Sequence, residues 1–211
     1  MKNIKLFPRC RFCRASNKKQ KIKGKNVYGG KKNQHFYKCE ECKIIYLYPT
    51  LNKLKEKFLY EKNFEKFMSK RSGKDVNWNG PLEHVKSNSK EAKRRLTFLK
   101  PLLNKKIKIL EIGCSSGFML YELKKYGHDV YGLDPSGKFL EFVKFNKIVC
   151  FKNYKEIVKH NIKFDLIIHY YVLEHIASPY KFLYDYFKLL KSRGNMIFEI
   201  PNSSEPLIEL Y

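Results

Sequence analysis

The chain has 211 residues and a formal net charge of +24 at pH 7, a length that allows one or two domains with one substantial core. No apolar run approaches the roughly 18 residues of a membrane-spanning helix, and the opening MKNIKLFPRCRF lacks the apolar core of a signal peptide, so a cytoplasmic protein without a membrane span is expected. The 44 basic residues are seven arginines and 37 lysines spread along most of the chain; phosphate and base recognition favour the bidentate Arg fork, so a nucleic-acid partner stays open without being the first choice.

Four of the six cysteines stand near the start as CRFC (Cys10, Cys13) and CEEC (Cys39, Cys42). Two such knuckles are the ligand set of a structural zinc ribbon, because each short loop presents two thiolates to one tetrahedral ion. Two disulfides are the alternative, and they require an oxidising compartment. His35, four residues before Cys39, reads as a strand residue rather than a fifth ligand. Cys114 and Cys150 lie in apolar stretches and read as small buried hydrophobes rather than nucleophiles.

A ribbon over about residues 5–49 is predicted, with a β-rich run Lys43 to Tyr48 leaving the second knuckle and Pro49 ending it. From Leu51 to Phe67 the apolar residues recur at helical spacing and predict one or two short helices. The stretch Ser69 to Ser89, with Gly73, Gly80, Pro81 and Trp78, reads either as a flap over a ligand site or as a linker with an anchoring aromatic. From Lys90 strands alternate with helices. The predicted order is helix Glu91 to Leu103, strand Ile107 to Ile112, helix Phe118 to Tyr126, strand Asp129 to Leu133, helix Gly137 to Asn146, and strands Ile148 to Phe151 and Phe164 to His169. Helix Pro179 to Leu190 and strand Met196 to Ile200 complete it. Such alternation implies right-handed crossovers and a Rossmann-like, doubly wound α/β domain whose sheet is mainly parallel. The expected domains are thus a ribbon at 1–50, a connector at 51–89 and an α/β domain at 90–211.

The first strand of that domain delivers Gly113, Cys114, Ser115, Ser116 and Gly117 to a helix N-terminus in KILEIGCSSGF. Small residues and free backbone N–H groups there let a ligand approach the main chain. Asp134 ends the second strand 21 residues after Gly113, where an acid can accept hydrogen bonds from the hydroxyls of a ribose. The dinucleotide pattern GxGxxG is not met, since Ser115 and Phe118 occupy its second and third glycine positions. Glu111 adds a carboxylate that would repel phosphates and suit a ligand carrying positive charge.

On EIGCSSG (Glu111 to Gly117), GLDPS (Gly132 to Ser136), FDLIIHYYVLEHI (Phe164 to Ile176) and LLKSRGNMIFEIPN (Leu189 to Asn202), the chain resembles the class I S-adenosylmethionine-dependent methyltransferases from Lys90 onward. The zinc knuckles followed by IIYLYPT (Ile44 to Thr50) resemble the N-terminal ribbon of a branch acting in sugar-nucleotide or surface-polysaccharide biosynthesis. The resemblance implies that Glu111, Gly113, Cys114, Ser115 and Gly117 hold the amino-acid half of S-adenosylmethionine. Asp134 would bind its ribose, with Pro135, Ser136, Asn153 and Tyr154 around the adenine. His169, Tyr170 and Tyr171 would line the methyl-transfer cleft, and Glu174 and His175 match the family's LEH motif. His175, Tyr170 or Tyr171 could take a proton from an acceptor that must lose one, although Glu174 and His175 could equally cap a helix and the tyrosines pack in the core. O-, C- and N-methylation all stay open.

The family sheet normally continues past its fifth strand, whereas this sequence stops eleven residues after Ile200. The expectation is therefore either a piece of a longer enzyme or an oligomer formed through the exposed sheet edge. Three functions are carried forward. The first is methyl transfer to a small molecule, a sugar or nucleotide-linked sugar; the second is RNA methylation, with ribbon and lysines on the phosphates; the third is a non-catalytic zinc-ribbon module with an inactive cofactor fold.

Overall fold

The computed structural model describes residues 7–24, 27, 31–50 and 80–202; the expected helices between Leu51 and Phe67, and Trp78, lie outside them. The chain packs as two compact units, one formed by Met1–Asn52, Tyr171–Asp185 and Glu199–Tyr211, the other by Lys53–Tyr170 and Tyr186–Phe198.

In the first unit β1 (Gln20–Gly24), β2 (His35–Cys39) and β3 (Ile45–Tyr48) form an antiparallel sheet in that order. Alternation along β2 buries Tyr37 and Cys39 and exposes Lys38. Tyr37 lies opposite Tyr46 of β3, and the rings stack 6.0 Å apart, a cross-strand pair of the kind that fixes register. Strand β1 was not expected, because its sequence QKIKG shows a single apolar residue. Its inward residue is Gln20, whose Nε2 donates to the Ser16 carbonyl at 2.9 Å while its Oε1 accepts from Tyr46 Oη at 2.9 Å. A buried amide with partners takes the place of an apolar residue, so hydropathy gives no signal.

The second unit holds a five-stranded sheet in the order β6-β5-β4-β7-β8, with β4 (Lys108–Ile112), β5 (Asp129–Leu133), β6 (Val149–Phe151), β7 (Phe164–Tyr170) and β8 (Leu190–Glu199). The pairs β4–β5, β4–β7 and β5–β6 are parallel. Ile109, Leu110, Glu111 and Ile112 are all buried, as expected of a central strand covered on both faces. Chain order runs outward from β4 through β5 to β6 and then returns to β7 on the other side, so the carboxyl end of β4 is the switch point at which open α/β sheets bind ligands. The Rossmann-like class read from the sequence is the fold observed.

The helices are α1 (Pro81–Ser87), α2 (Ser89–Leu99), α3 (Phe118–Lys125), α4 (Leu140–Phe145), α5 (Tyr154–Lys159) and α6 (Pro179–Phe187). Residues 81–87, read as flap or linker, are helical: Pro81 follows the extended Gly80 and takes the first helical position, where its missing N–H costs nothing. The helix expected to run to Leu103 stops at Leu99 and tightens into a 3-10 turn at Lys100–Leu102, because Pro101 cannot supply the next backbone donor. Helix α5 went unread because it is a single short amphipathic stretch. Strand β8 starts at Leu190 rather than Met196; Lys191, Ser192 and Arg193 are exposed and hide it from a hydropathy reading. Among the described residues no helix is long and apolar enough to cross a membrane.

Ala92, Leu96 and Leu99 of α2, Met119, Leu120 and Leu123 of α3, and Leu140 and Val143 of α4 pack on Ile109, Val130, Leu166 and Ile168 of the sheet. Gly132 of β5 sits under this layer. A Cβ there would lie 2.7 Å from Cys114 Sγ and 2.8 Å from Cys150 Sγ, so the two cysteines that the sequence marks as buried hydrophobes fill the space a larger residue would claim. Gly132→Ala is expected to cost about 1–3 kcal/mol through overpacking, and Cys114→Ala in the same chain should recover part of that loss. Urea denaturation of the single and double variants checks both.

Candidate functional site

Strand β4 ends in a tight turn whose backbone is held from β5: the N–H groups of Gly113 and Cys114 both donate to the Leu133 carbonyl, at 2.7 and 3.1 Å. Gly117 closes the turn as the residue before α3 with φ 77°, a conformation that only glycine adopts freely, and a Cβ there would crowd Val143 at 3.2 Å. Ser115 is also left-handed, at φ 48°.

Asp134 fixes this strained turn. Its Oδ2 accepts from the Ser115 N–H at 2.8 Å, while Oδ1 accepts from the Ser136 N–H at 2.9 Å and from Ser136 Oγ. A carboxylate offers about four lone-pair positions, so three are filled from within the protein. One remains for a ligand. Cys114 contributes main chain only, since its side chain is fully buried.

Glu111, on β4 two residues before Gly113, is a different kind of acid. It is buried on β4, its Oε2 has no hydrogen-bond partner among the described residues, and burial pushes its carboxyl well above the usual range, partly offset by the nearby Arg95 and reinforced by Asp134. Arg95, on α2, is itself buried; its Nε lies 3.3 Å from Glu91 Oε1 and its guanidinium sits 3.9 Å over the Tyr170 ring, a cation–π contact strengthened by desolvation.

One residue that meets this turn, His84, carries no signal in the sequence. Ser116 is fully buried and its Oγ lies 2.7 Å from Nδ1 of His84 on α1. Burial holds His84 down at about 4, hence neutral at pH 7, and it packs between Phe118 and Phe139. Helix α1 is thereby pinned to the glycine turn by one hydrogen bond. No local pattern announces a contact between residues 32 apart.

Other expected site residues make contacts within the protein. Asn153 caps α5, its side chain accepting from the Glu156 N–H at 3.2 Å and donating to Glu156 Oε1 at 2.8 Å. Tyr154 packs edge-on against Tyr186, 5.2 Å between ring centres. His169 has no exposed surface, stacks on Phe198 at 4.9 Å and is held neutral by burial, at about 4. Pro135 and Ser136 follow Asp134 in the loop as expected.

Tyr171, Glu174 and His175 belong to the unit that contains the ribbon. Tyr171 takes φ 54°, and its Oη donates to Glu199 Oε1 at 3.2 Å. His175 is exposed, its Nε2 4.0 Å from Glu174 Oε1. Glu174, in the 3-10 turn Leu173–His175, has a buried Oε2 without a hydrogen-bond partner among the described residues; burial, aided by Glu199, raises its carboxyl to about 7.

The four knuckle cysteines converge. Their sulfurs lie within 4.8 Å of one another, with Cys10–Cys42 at 3.6 Å and Cys13–Cys39 at 3.7 Å, against about 3.8 Å for the edge of a tetrahedron with 2.3 Å zinc–sulfur bonds. The two knuckles share one backbone geometry. Arg14 N–H donates to the Cys10 carbonyl and Lys43 N–H to the Cys39 carbonyl, at 3.2 and 2.9 Å, and both donors sit at φ 64°. At Cys39 burial raises the thiol, but the N–H groups of Cys42 and Glu41 and the Gln20 amide outweigh it and hold the value at about 6. Cys42 is pushed up to about 12 by burial and by its sulfur neighbours. One ready thiolate among crowded sulfurs is a set that a divalent cation would relieve.

A family model described as a methyltransferase domain matches residues 83–210, which spans the glycine turn, Asp134 and the Leu173–His175 turn. The chain belongs to that family of methyltransferase domains. Among similar proteins are the ubiquinone biosynthesis O-methyltransferase of Pelagibacter ubique (strain HTCC1062), 35% identical over 113 residues covering 50% of this chain and 45% of the relative. The tRNA U34 carboxymethyltransferase of Campylobacter fetus subsp. fetus (strain 82-40) is 37% identical over 106 residues, covering 46% and 36%. The chain therefore spans less than half the length of these relatives. Similar solved structures include the plantazolicin methyltransferase BpumL in complex with SAH, 17% identical with a TM-score of 0.47 over 74% of this chain and 65% of that one. The PH0226 protein from Pyrococcus horikoshii OT3 is 26% identical, with a TM-score of 0.44 over 58% and 60%.

Ionisation of Glu174 should weaken the fold, because its folded value of about 7 lies above the ordinary 4.5. The loss is absent below about pH 4.5, grows through the interval and is complete above about pH 7. Glu174→Gln is thus expected to raise the thermal midpoint at pH 8 and leave it unchanged near pH 4.5; equal shifts at both pH values would contradict the assignment.

Proposed function

We propose that this chain methylates an oxygen atom of a small acceptor, with a sugar or nucleotide-linked sugar as the acceptor class. The observation that carries the reading is the pairing of two carboxyls with unlike partners: Glu111, buried with an oxygen that has no hydrogen-bond partner among the described residues, and Asp134, already binding two loops together. A ligand with a positively charged amino-acid end and a ribose fits that pair. When bound, S-adenosylmethionine supplies an electrophilic methyl group on a sulfonium. Glu111 would hold its ammonium group, the Gly113–Gly117 main chain would allow close approach, and Asp134 would accept from the ribose through its remaining lone pair. Tyr170 and Arg95 would shield this side from water.

Displacement at a sulfonium needs alignment and exclusion of water more than it needs acid or base. A hydroxyl acceptor must also lose a proton. His175, Tyr170 or Tyr171, in the segment that ends and follows β7, would receive it. The O-methyltransferase named among the relatives supports oxygen as the receiving atom, and the ribbon followed by IIYLYPT supports a carbohydrate. An RNA acceptor is the second reading, supported by the charge of +24 and by the relative named for a tRNA. Residues 1–50 would form the zinc ribbon, 51–89 a connector and 90–211 the methyltransferase domain. The thiolate geometry fits zinc in a closed structural site with no open position for chemistry.

Calorimetry with S-adenosylhomocysteine tests the cofactor assignment. Glu111→Gln and Asp134→Ala should each weaken binding about 10- to 100-fold, the loss of a charge-assisted hydrogen bond, and absence of binding by the wild type would sink the reading. Methyl transfer from labelled cofactor to nucleotide-linked sugars tests the acceptor; transfer to RNA instead, with binding that falls steeply with salt, would favour the second reading. Zinc removal by a chelator should leave cofactor affinity within about twofold and reduce methyl transfer about tenfold or more, as expected if the metal acts on the acceptor side alone. Equal loss of both would contradict that division.

A further inference from the structure

The two knuckles hold their sulfurs alike, yet the residues between the cysteines face different things. In the second knuckle Glu40 and Glu41 pair with Lys21 and Lys19 of the ribbon itself, Glu41 to Lys19 at 3.1 Å. In the first, both intervening residues reach the segment that follows β7. The half-buried Arg11 donates from Nη2 to the Ile176 carbonyl and from Nε to the Ala177 carbonyl at 3.4 Å, while Nη1 reaches the Leu47 carbonyl of β3 at 3.4 Å. Phe12 meets Tyr180 edge-on, 6.5 Å between ring centres.

Ile176 is the residue that ends the 3-10 turn Leu173–His175, so its carbonyl is one that a helix end leaves without an internal donor. A guanidinium is well suited to close it, since its planar fork can hold several carbonyls at once. The position of that fork is set on either side by Cys10 and Cys13, and their spacing is fixed only when the four sulfurs share one ion. We propose that Arg11 is a positioning residue that couples metal occupancy of the four-cysteine site to the order of the turn carrying Glu174 and His175. The first knuckle is then a clamp on the Leu173–Tyr180 segment, whereas the second serves the ribbon alone. This rests on the zinc reading of the four thiolates and goes beyond it, because a purely structural ribbon requires no such contact.

Hydrogen exchange on the zinc-loaded chain reads the clamp directly, through the turn's own bonds from His175 N–H to Val172 and from Ile176 N–H to Leu173. In Arg11→Ala, peptides over residues 172–180 should exchange about tenfold faster or more, while peptides over residues 36–48, zinc content and S-adenosylhomocysteine affinity stay at wild-type values. Arg11→Lys, which keeps the charge without the fork, should fall near the alanine variant. Chelation of the wild type should speed the same 172–180 peptides, and chelation of Arg11→Ala should add little more. Unchanged exchange at 172–180 in an Arg11→Ala chain that retains its zinc overturns the inference, as does an equal effect of chelation with and without Arg11. Zinc uptake is scored separately by metal analysis: a wild-type chain that takes up none overturns both the zinc reading and the coupling, whereas an intact zinc site without the exchange effect overturns the coupling alone.

Discussion

The carboxylate of Asp134 is the contact on which the turn after β4 depends. It takes the Ser115 N–H from the turn after β4 and the Ser136 N–H from the loop after β5, so one side chain joins the ends of two neighbouring parallel strands. Ser115 is held at a positive φ that a β-carbon resists, and a hydrogen bond from its own N–H to a buried acid is what stabilises it there. Gly117 and the shared Leu133 carbonyl complete the geometry. A ligand arriving at the switch point of the sheet meets backbone already arranged for it, and little ordering remains to be done on binding.

Around that fixed turn the electrostatics are uneven in a useful way. Glu111 is buried and lifted, with Arg95 close enough to offset part of the cost, while His84 stays neutral and donates or accepts a single bond to Ser116. Asp134, by contrast, accepts three hydrogen bonds. The two acids, one on β4 and one at the end of the paired strand β5, thus differ in their partners: one meets N–H groups and, among the described residues, the other does not.

The ribbon follows a separate logic. A sheet of three short strands with Tyr37, Tyr46, Cys10 and Cys39 as its buried centre is too small a core for independent stability, and small domains of this kind lean on metals. Crowded sulfurs, one of them readily ionised, make the same site sensitive to whether a cation is present. The first knuckle carries that sensitivity outward through Arg11.

Much of the fold could be read in advance because its signals are local. The β4 run, the small-residue turn and Asp134 at the end of β5 are marked by apolar strands, by glycine and by an acid at fixed spacing, and the CxxC pairs by ligand count. Where local signals were absent the reading missed: β1 hides behind a buried glutamine, β8 behind exposed Lys191 to Arg193, and α1 behind a Gly-Pro start. Residue types and spacing by themselves determined the Rossmann-like class and the four thiolates, and the resemblance of its motifs pointed to the methyltransferase family. Only the tertiary structure decided that His169 stacks on Phe198, that Asn153 caps a helix, that His84 meets Ser116 and Arg95 meets Tyr170, and that Arg11 reaches Ile176. Each of those depends on contacts between residues far apart in the chain, which no periodicity in the sequence encodes.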